Sequence, residues 1–314
     1  MNPFLSVIMP VRNGEKFIAA ALESVRAQYR EGIELVIVDD HSTDRTLEIV
    51  RGFSDVLPIR LITPDRHTTE VEACNIAFRE ARGEWACLLH CDDFWLPGRM
   101  ARLWGEMETA KGAFILHNAM FVGPDGRKLG YWTCPLSEGI IPSEQFIERL
   151  LVQNFIAAPS PVFRRKVVLE SGGMDPASPR CQDWDLWLRI GAIGPVRFIA
   201  ETLSAYRVHL GAQTFARKRL PNETEQQLTT VFARHLSHWP VTGRRRASVE
   251  RVARASITIN STLSAAFRHE SFQLSPVLLE LLALGPFGWH RYLRDSRIVQ
   301  RVCSRLKLRH LRVT

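Results

Sequence analysis

Along the first hundred positions, short unbroken apolar runs alternate with stretches of helical spacing. Leu5-Ser6-Val7-Ile8-Met9-Pro10 reads as a first strand stopped by its proline, and Val11-Arg12-Asn13-Gly14 as a turn. Residues 15–28 then place Phe17, Ile18, Ala21, Leu22 and Val25 on one helical face, and Gly32 closes that element. Glu34-Leu35-Val36-Ile37-Val38 predicts a second buried strand ending on Asp39-Asp40; Ser42 or Thr43 is placed to cap the helix carrying Leu47 and Val50. Residues 59–62 predict a third strand and 69–82 a helix that Gly83 stops. A fourth strand, 85–89, runs into Asp92-Asp93 and Phe94-Trp95-Leu96-Pro97. Strands alternating with helices in this way predict a doubly wound, mostly parallel α/β sheet.

Two of these four strands end in paired acids, at the sheet edge where loops converge on one crevice. Adjacent carboxylates repel unless a cation or a hydrogen-bond network neutralises them. A divalent cation bridging carboxylate and phosphate oxygens is a common solution. Taken alone, Asp92-Asp93 reads equally as a solvated turn or a helix N-cap before Pro97. A nucleoside diphosphate fits the whole arrangement: Asp39 or Asp40 would accept from base or ribose, and Asp92-Asp93 would hold a metal against the diphosphate. No GxGxxG follows the first strand and no GxxxxGK[ST] occurs, so neither a dinucleotide site nor a P-loop is supported.

Ser6 to Asn13, Glu34 to Asp44 and Gly83 to Pro97, in that order and spacing, resemble the N-terminal half of a family 2 glycosyltransferase. The resemblance implies a GT-A type, doubly wound mixed sheet with a Rossmann-like nucleotide-binding half. It also implies an inverting, hexosyltransferase-type enzyme that uses a nucleotide sugar, a UDP-sugar first among them, with Mg²⁺ or Mn²⁺. By the same resemblance Pro10, Val11, Arg12, Asn13, Asp39, Asp40, Asn75, Asp92 and Arg207 would bind the donor nucleotide, and Asp92, Asp93 and His209 the metal. Cys181-Gln182-Asp183-Trp184-Asp185 matches the family's acidic motif at a helix start, which implies that Asp183 is the general base on the acceptor hydroxyl; Asp185 is left as structural. Ala205 to Thr214 resembles the loop closing the catalytic domain, with Arg207 at the diphosphate and His209 either a metal ligand or a structural histidine.

The chain departs from the family pattern in three places. It reads His90-Cys91-Asp92-Asp93 where relatives commonly read Asp-Ala-Asp-Asp, and Gln182 where they often carry Glu. Of the segment that usually precedes the fourth strand, only Asn75 and the helical spacing match. Two rival readings follow. A nucleotidyltransferase would need a richer first loop than Val11-Arg12-Asn13-Gly14; a non-catalytic nucleotide-sugar scaffold is supported by the His90 and Gln182 departures alone.

Composition narrows the class. At 46% hydrophobic and 24% charged residues the chain is globular material, neither disordered nor polytopic. Its six cysteines form no CxxC pair, so spacing gives no zinc site or disulfide framework, and three of them lie in apolar or helical contexts that suit a reducing compartment. The N-terminus lacks a positive region and meets Pro10 early for a signal peptide, so a cytoplasmic location is expected. Residues 1–216 carry 23 Lys+Arg against 27 Asp+Glu, whereas residues 217–314 carry 18 against 6. This predicts a catalytic domain over 1–216 and a basic helical region over 217–314. Arg244-Arg245-Arg246 and the stretch 291–312 are basic and amphipathic, suited to peripheral contact with an anionic inner membrane face, to a dimer contact, or to a solvated helical face. Nucleic acid is not expected, because no binding motif accompanies the charge. The acceptor implied by the resemblance is a glycan or a lipid-linked sugar in surface polysaccharide or glycolipid assembly.

Overall fold

A computed structural model describes residues 3–209, 211, 223–267 and 274–310. Its centre is a mixed sheet in the order β3-β2-β1-β4-β9-β6-β10-β5, with β7 paired to β6 and β8 to β10. The first half is parallel: β1 (Leu5–Val11) lies between β2 (Ile33–Asp39) and β4 (Trp85–Leu88), with β3 (Ile59–Ile62) outside β2. The β1 residues are all buried, as an unbroken apolar run requires when helices cover both faces. Alternate residues serve opposite layers. Ile8, Val36, Val38, Ala86 and Leu88 join one core; Val7, Met9, Leu35, Ile37 and Cys87 join the other.

Helices α1 (Ile18–Arg26), α2 (Thr46–Gly52) and α4 (Arg99–Thr109) cover the second core. The first is covered by α3 (Glu70–Glu80), α5 (Ser143–Leu150), α6 (Arg165–Glu170) and α7 (Gln182–Ile193). A capping box starts α3: the Glu72 N–H donates to Thr69 Oγ1 at 3.2 Å, and the Thr69 N–H donates to Glu72 Oε2 at 2.8 Å. Gly83 ends the linker to β4 where a side chain would not fit, since a Cβ there would lie 2.5 Å from Ser6 Oγ.

Beyond β4 the sheet turns mixed. Short β5 (Phe94–Trp95) runs antiparallel to β10 (Val196–Arg207), and β9 (Val162–Arg164) is inserted antiparallel between β4 and β6 (Phe114–Val122). The hairpin expected at Asp125-Gly126 joins β6 to β7 (Lys128–Trp132), with Gly126 at φ +82°. Strand β8 (Gly139–Ile141) pairs with β10 on its other side.

The expected cap of α2 differs. Helix α2 begins at Thr46 without a side-chain cap, because Ser42 and Thr43 are engaged by Asn13. The Asn13 N–H donates to Ser42 Oγ at 2.8 Å, and the Thr43 N–H donates to Asn13 Oδ1 at 2.8 Å. Those bonds lace the loops after β1 and β2 together.

The C-terminal region is helical: α8 (Glu223–His238), α9 (Gly243–Phe267), α10 (Ser275–Ser296) and α11 (Ile298–His310). Val231, Phe232, Val252, Ala253, Leu284 and Tyr292 from these helices belong to the same buried cluster as Ile8 and Leu88 of the sheet. The boundary expected at 216/217 lies outside the described residues, as do Leu210 and Ala212 to Thr214 of the closing loop.

Candidate active site

The acidic turns after β2 and β4 flank the end of β1, where strand order reverses, the place at which open α/β sheets commonly bind ligands. Asp39 is fully buried; its Oδ2 accepts the Ser42 N–H at 3.0 Å, while Oδ1 has no partner. Asp40 is also buried. Its Oδ1 accepts the Thr68 N–H at 2.6 Å and lies 3.3 Å from His67 Nδ1, and its Oδ2 is 3.3 Å from Arg12 NH1. His41, next in the chain, sits in the left-handed region at φ +53°, as does Asn13 at φ +51°. A histidine held there is strained, which marks a loop fixed by its surroundings. Pro10 and Val11 are backbone of β1, paired with Val38 and Asp39.

In the turn after β4, Asp92 Oδ2 lies 3.0 Å from His209 Nε2. Burial raises the Asp92 carboxyl, but the His209 bond and the charge of His90 outweigh it and hold the group below the usual range. Asp93 behaves oppositely: burial and the neighbouring Asp92 charge push it up to about 6. Its Oδ1 accepts the Arg207 N–H at 2.9 Å, and its buried Oδ2 has no hydrogen-bond partner. The imidazole of His90 lies between acids, with Nε2 3.0 Å from Glu70 Oε1 and Nδ1 3.9 Å from Asp93 Oδ2. Burial opposes its charge, yet its neighbours Asp93, Cys74 and Glu70 hold it well above the ordinary histidine range. At position 90 the chain thus carries an imidazole, drawn towards its charged form by its acidic neighbours, where the family pattern has an acid.

The guanidinium of Arg207 is fixed from three sides. Nε donates to the Asp92 carbonyl at 2.8 Å, and NH1 donates to the Gly123 and Pro124 carbonyls, each at 3.1 Å. It also lies over the rings of Phe17 and Phe94, and the Phe17 ring packs, tilted, against His209 with centroids 4.6 Å apart.

Asp183 lies in the first turn of α7, where the helix dipole favours a carboxylate. Its Oδ2 accepts from Asn154 Nδ2 at 3.0 Å and its Oδ1 the Trp184 N–H at 2.7 Å. Burial nevertheless pushes its pKa above the usual range, and the charges of Glu70 and His90 reach it, so base candidate and acidic turn share one electrostatic neighbourhood. Asp185, two residues on, faces away and is fully buried. It receives Arg189 at 2.9 Å from its own helix, and Arg234 at 3.1 Å and His235 at 2.8 Å from α8.

Asn75 is engaged elsewhere. Its Nδ2 donates to the Met174 carbonyl and its Oδ1 accepts the Met174 N–H, both at 2.8 Å, tying α3 to the turn after α6. Sequence reasoning passed over Glu70, Phe17, Thr68 and Asn154. Only Glu70 left a local trace, as the first residue after the Thr69 cap.

The profile of glycosyl transferase family 2 matches residues 6–170, just over half of the chain. The chain belongs to this family. An uncharacterised glycosyltransferase of Haemophilus influenzae is 26% identical over 187 residues, 59% of this chain and 61% of that protein, so the match spans only part of each. The succinoglycan biosynthesis protein ExoO of Rhizobium meliloti is 33% identical over 127 residues, 40% of this chain and 36% of that one. Among solved structures, Staphylococcus aureus TarS 1–349 in complex with UDP-GlcNAc superposes with a TM-score of 0.69 at 15% identity, covering 98% of this chain and 91% of that one. That likeness shows the fold, and the glycosyltransferase has the GT-A architecture expected from its motifs, with a helical C-terminal part.

Could this site hold a divalent cation? The described residues contain no group of three or more His, Cys, Asp or Glu side chains that would cage one. A small hard cation does not require a cage, since it is commonly bound by one or two carboxylates together with substrate phosphates and water. The buried Oδ2 of Asp93, which makes no hydrogen bond, and the partly exposed Asp92 fit that mode.

Proposed function

We propose that this glycosyltransferase moves a sugar from a nucleoside diphosphate, a UDP-sugar, to an acceptor hydroxyl with inversion at the anomeric carbon. The observation that carries the reading is Asp183: a carboxylate oriented by Asn154 and Trp184, with a raised pKa, within electrostatic reach of the acidic turn. Inverting displacement requires a base that takes the acceptor proton as the new bond forms, and a raised carboxyl pKa suits proton abstraction near neutrality. Asp183 would hold that proton. Asp40 and the linked loops bearing Arg12 and Asn13 would receive the nucleoside, with Asp39 fixing the turn behind them. Arg207 would face the diphosphate from its carbonyl cradle, where a preoriented cation stabilises developing negative charge.

Asp92 and Asp93 would hold Mg²⁺ or Mn²⁺, with His209 orienting Asp92; when bound, the ion neutralises charge on the departing diphosphate. Likeness to a protein named for succinoglycan biosynthesis supports a surface glycan or glycolipid as the product, built at the inner face of the plasma membrane. The organisation proposed is a catalytic unit over 1–216 with a basic helical region over 217–314.

The test is hydrolysis of UDP-, GDP- and dTDP-sugars with and without Mn²⁺, wild type against Asp183→Asn. Metal-dependent release from one donor, lost in the variant while donor affinity stays, supports the reading. Donor binding with no turnover in either protein would favour a scaffold.

A further inference from the structure

Residues 151–161 join α5 to β9 and lie in no helix or strand, so no ladder of backbone hydrogen bonds sets their course. Asn154, which holds the carboxylate of Asp183, is in this stretch. Its amide has one workable orientation. The Ile156 N–H, which can only donate, takes Asn154 Oδ1 at 3.1 Å and leaves Nδ2 for Asp183 Oδ2 at 3.0 Å. Just after Asn154, Phe155 and Ile156 are fully buried.

Just before it, Gln153 is gripped by α9. Its Oε1 accepts from Ser256 Oγ at 2.8 Å and from Asn260 Nδ2, and that same nitrogen donates to the Ser256 carbonyl at 2.6 Å. Ser256 is fully buried and Asn260 follows it by one helical turn, so both donors meet at one oxygen. The approach to this stretch is held as well. Glu148 of α5 accepts from Arg245 of α9 at 2.7 Å and from Arg291 of α10, and the Leu150 carbonyl accepts from Trp184 Nε1, next to Asp183, at 2.8 Å.

We propose that Gln153 is a positioning residue: through it, α9 fixes the backbone from which Asn154 aims Asp183. Docking of α9 does not by itself explain the contact, because Val252, Ala253, Ile257 and Ile259 of that helix already enter the core. Apolar burial is non-directional, whereas two hydrogen bonds converging on one oxygen fix its place. The catalytic consequence rests on Asp183 being the base; the anchoring rests on the hydrogen bonds alone.

The experiment reads the Asp183 carboxyl directly, by carbon-13 NMR titration of the aspartate-labelled full chain with Asp183→Asn to assign the signal, beside kcat and donor KM. Gln153→Met keeps the side chain's length and removes the acceptor. It is expected to move the Asp183 midpoint to higher pH, because a looser Asn154 favours the carboxylate less, and to lower kcat roughly tenfold at unchanged donor KM. Asn260→Leu weakens the same contact from α9 and is expected to move the midpoint the same way; should Gln153→Met fail to fold, it carries the decision. In an Asn154→Ala background, Gln153→Met is expected to shift the midpoint no further, since its effect runs through Asn154. The charges of Glu70, His90 and Arg301, which also reach Asp183, are the same in every variant. An unmoved midpoint in the folded variant, or additive shifts in the double variant, overturns the proposal. If Asp183→Asn turns over like wild type, the assignment of the base fails by itself, and the midpoint still decides the anchor.

Discussion

The backbone N–H of Arg207 donates to Asp93 Oδ1 at 2.9 Å, joining the last strand of the sheet to the acidic turn after β4. Because that bond is main-chain, it survives any substitution at 207, whereas the guanidinium's bonds to Asp92, Gly123 and Pro124 do not. Arg207→Ala is therefore expected to leave buried carbonyls unpaired, lowering stability by about 1–3 kcal/mol. Arg207→Lys, unable to span three carbonyls, is expected to recover only part of this. Thermal denaturation beside donor hydrolysis checks both; an unchanged melting temperature in Arg207→Ala would contradict the structural role.

Asp183→Asn is expected to lower turnover by roughly 10²–10⁴-fold with donor affinity unchanged. The base must be ionised, so turnover falls as pH drops through its pKa. Burial places that limb at higher pH than an ordinary aspartate would. Asn154→Ala removes a bond that favours the carboxylate and is expected to move the acid limb further up. A pH–rate profile of wild type and Asn154→Ala reads the shift; movement towards lower pH would refute it.

Chelation is expected to stop turnover, and Mn²⁺ to restore it. Removing the imidazole that orients Asp92, in His209→Ala, is expected to raise the Mn²⁺ concentration required by about 10–100-fold. A metal titration of activity decides this.

Asn75→Ala breaks both bonds to Met174 and is expected to destabilise the fold by about 1–3 kcal/mol. If that clamp is its whole role, calorimetry will find the same affinity for UDP in the variant. A large loss of affinity in a stably folded Asn75→Ala would instead return the residue to the nucleotide site.

Away from the acidic turns, Glu106 accepts from Arg197 at 2.7 and 2.8 Å and from Arg102 at 2.7 Å. Arg197 is the largest influence, burial opposes it, Arg102 assists, and the carboxyl is held at about 2. The folded pKa lies below the unfolded one, so this stabilisation is complete above about pH 4.5 and disappears as pH falls towards 2. Glu106→Gln is expected to flatten the acid dependence of the urea midpoint in that window, by about 1–3 kcal/mol. An unchanged slope would show the network to be inert.

Legibility followed distance along the chain. The runs at Leu5–Pro10, Glu34–Val38 and Trp85–Leu89 were readable because a strand buried on both faces needs consecutive apolar side chains, whatever packs against it. The paired acids were readable because they directly follow those runs. Asn154 could not be connected to Asp183, nor Glu70 to His90, because those pairs depend on how separate elements pack. The Ser42 and Thr43 cap went astray for the same reason: a local rule yielded to the tertiary partner Asn13. Asn75 matched a family segment at its own position, but only folding brings Met174 alongside it. The inserted strand β9, three residues long, gives no periodicity to detect.

Asp185 sets a lower limit on the working length of this enzyme. Two of its three side-chain partners, Arg234 and His235, come from α8. A chain cut after the last strand of the sheet would leave this buried carboxylate with Arg189 alone, two residues from the proposed base. A buried carboxylate stripped of two of its three partners is expected to loosen the start of α7. If Asp183 is the base, its aim would suffer with that helix start, and the helices that follow the sheet would hold the reaction's geometry from behind.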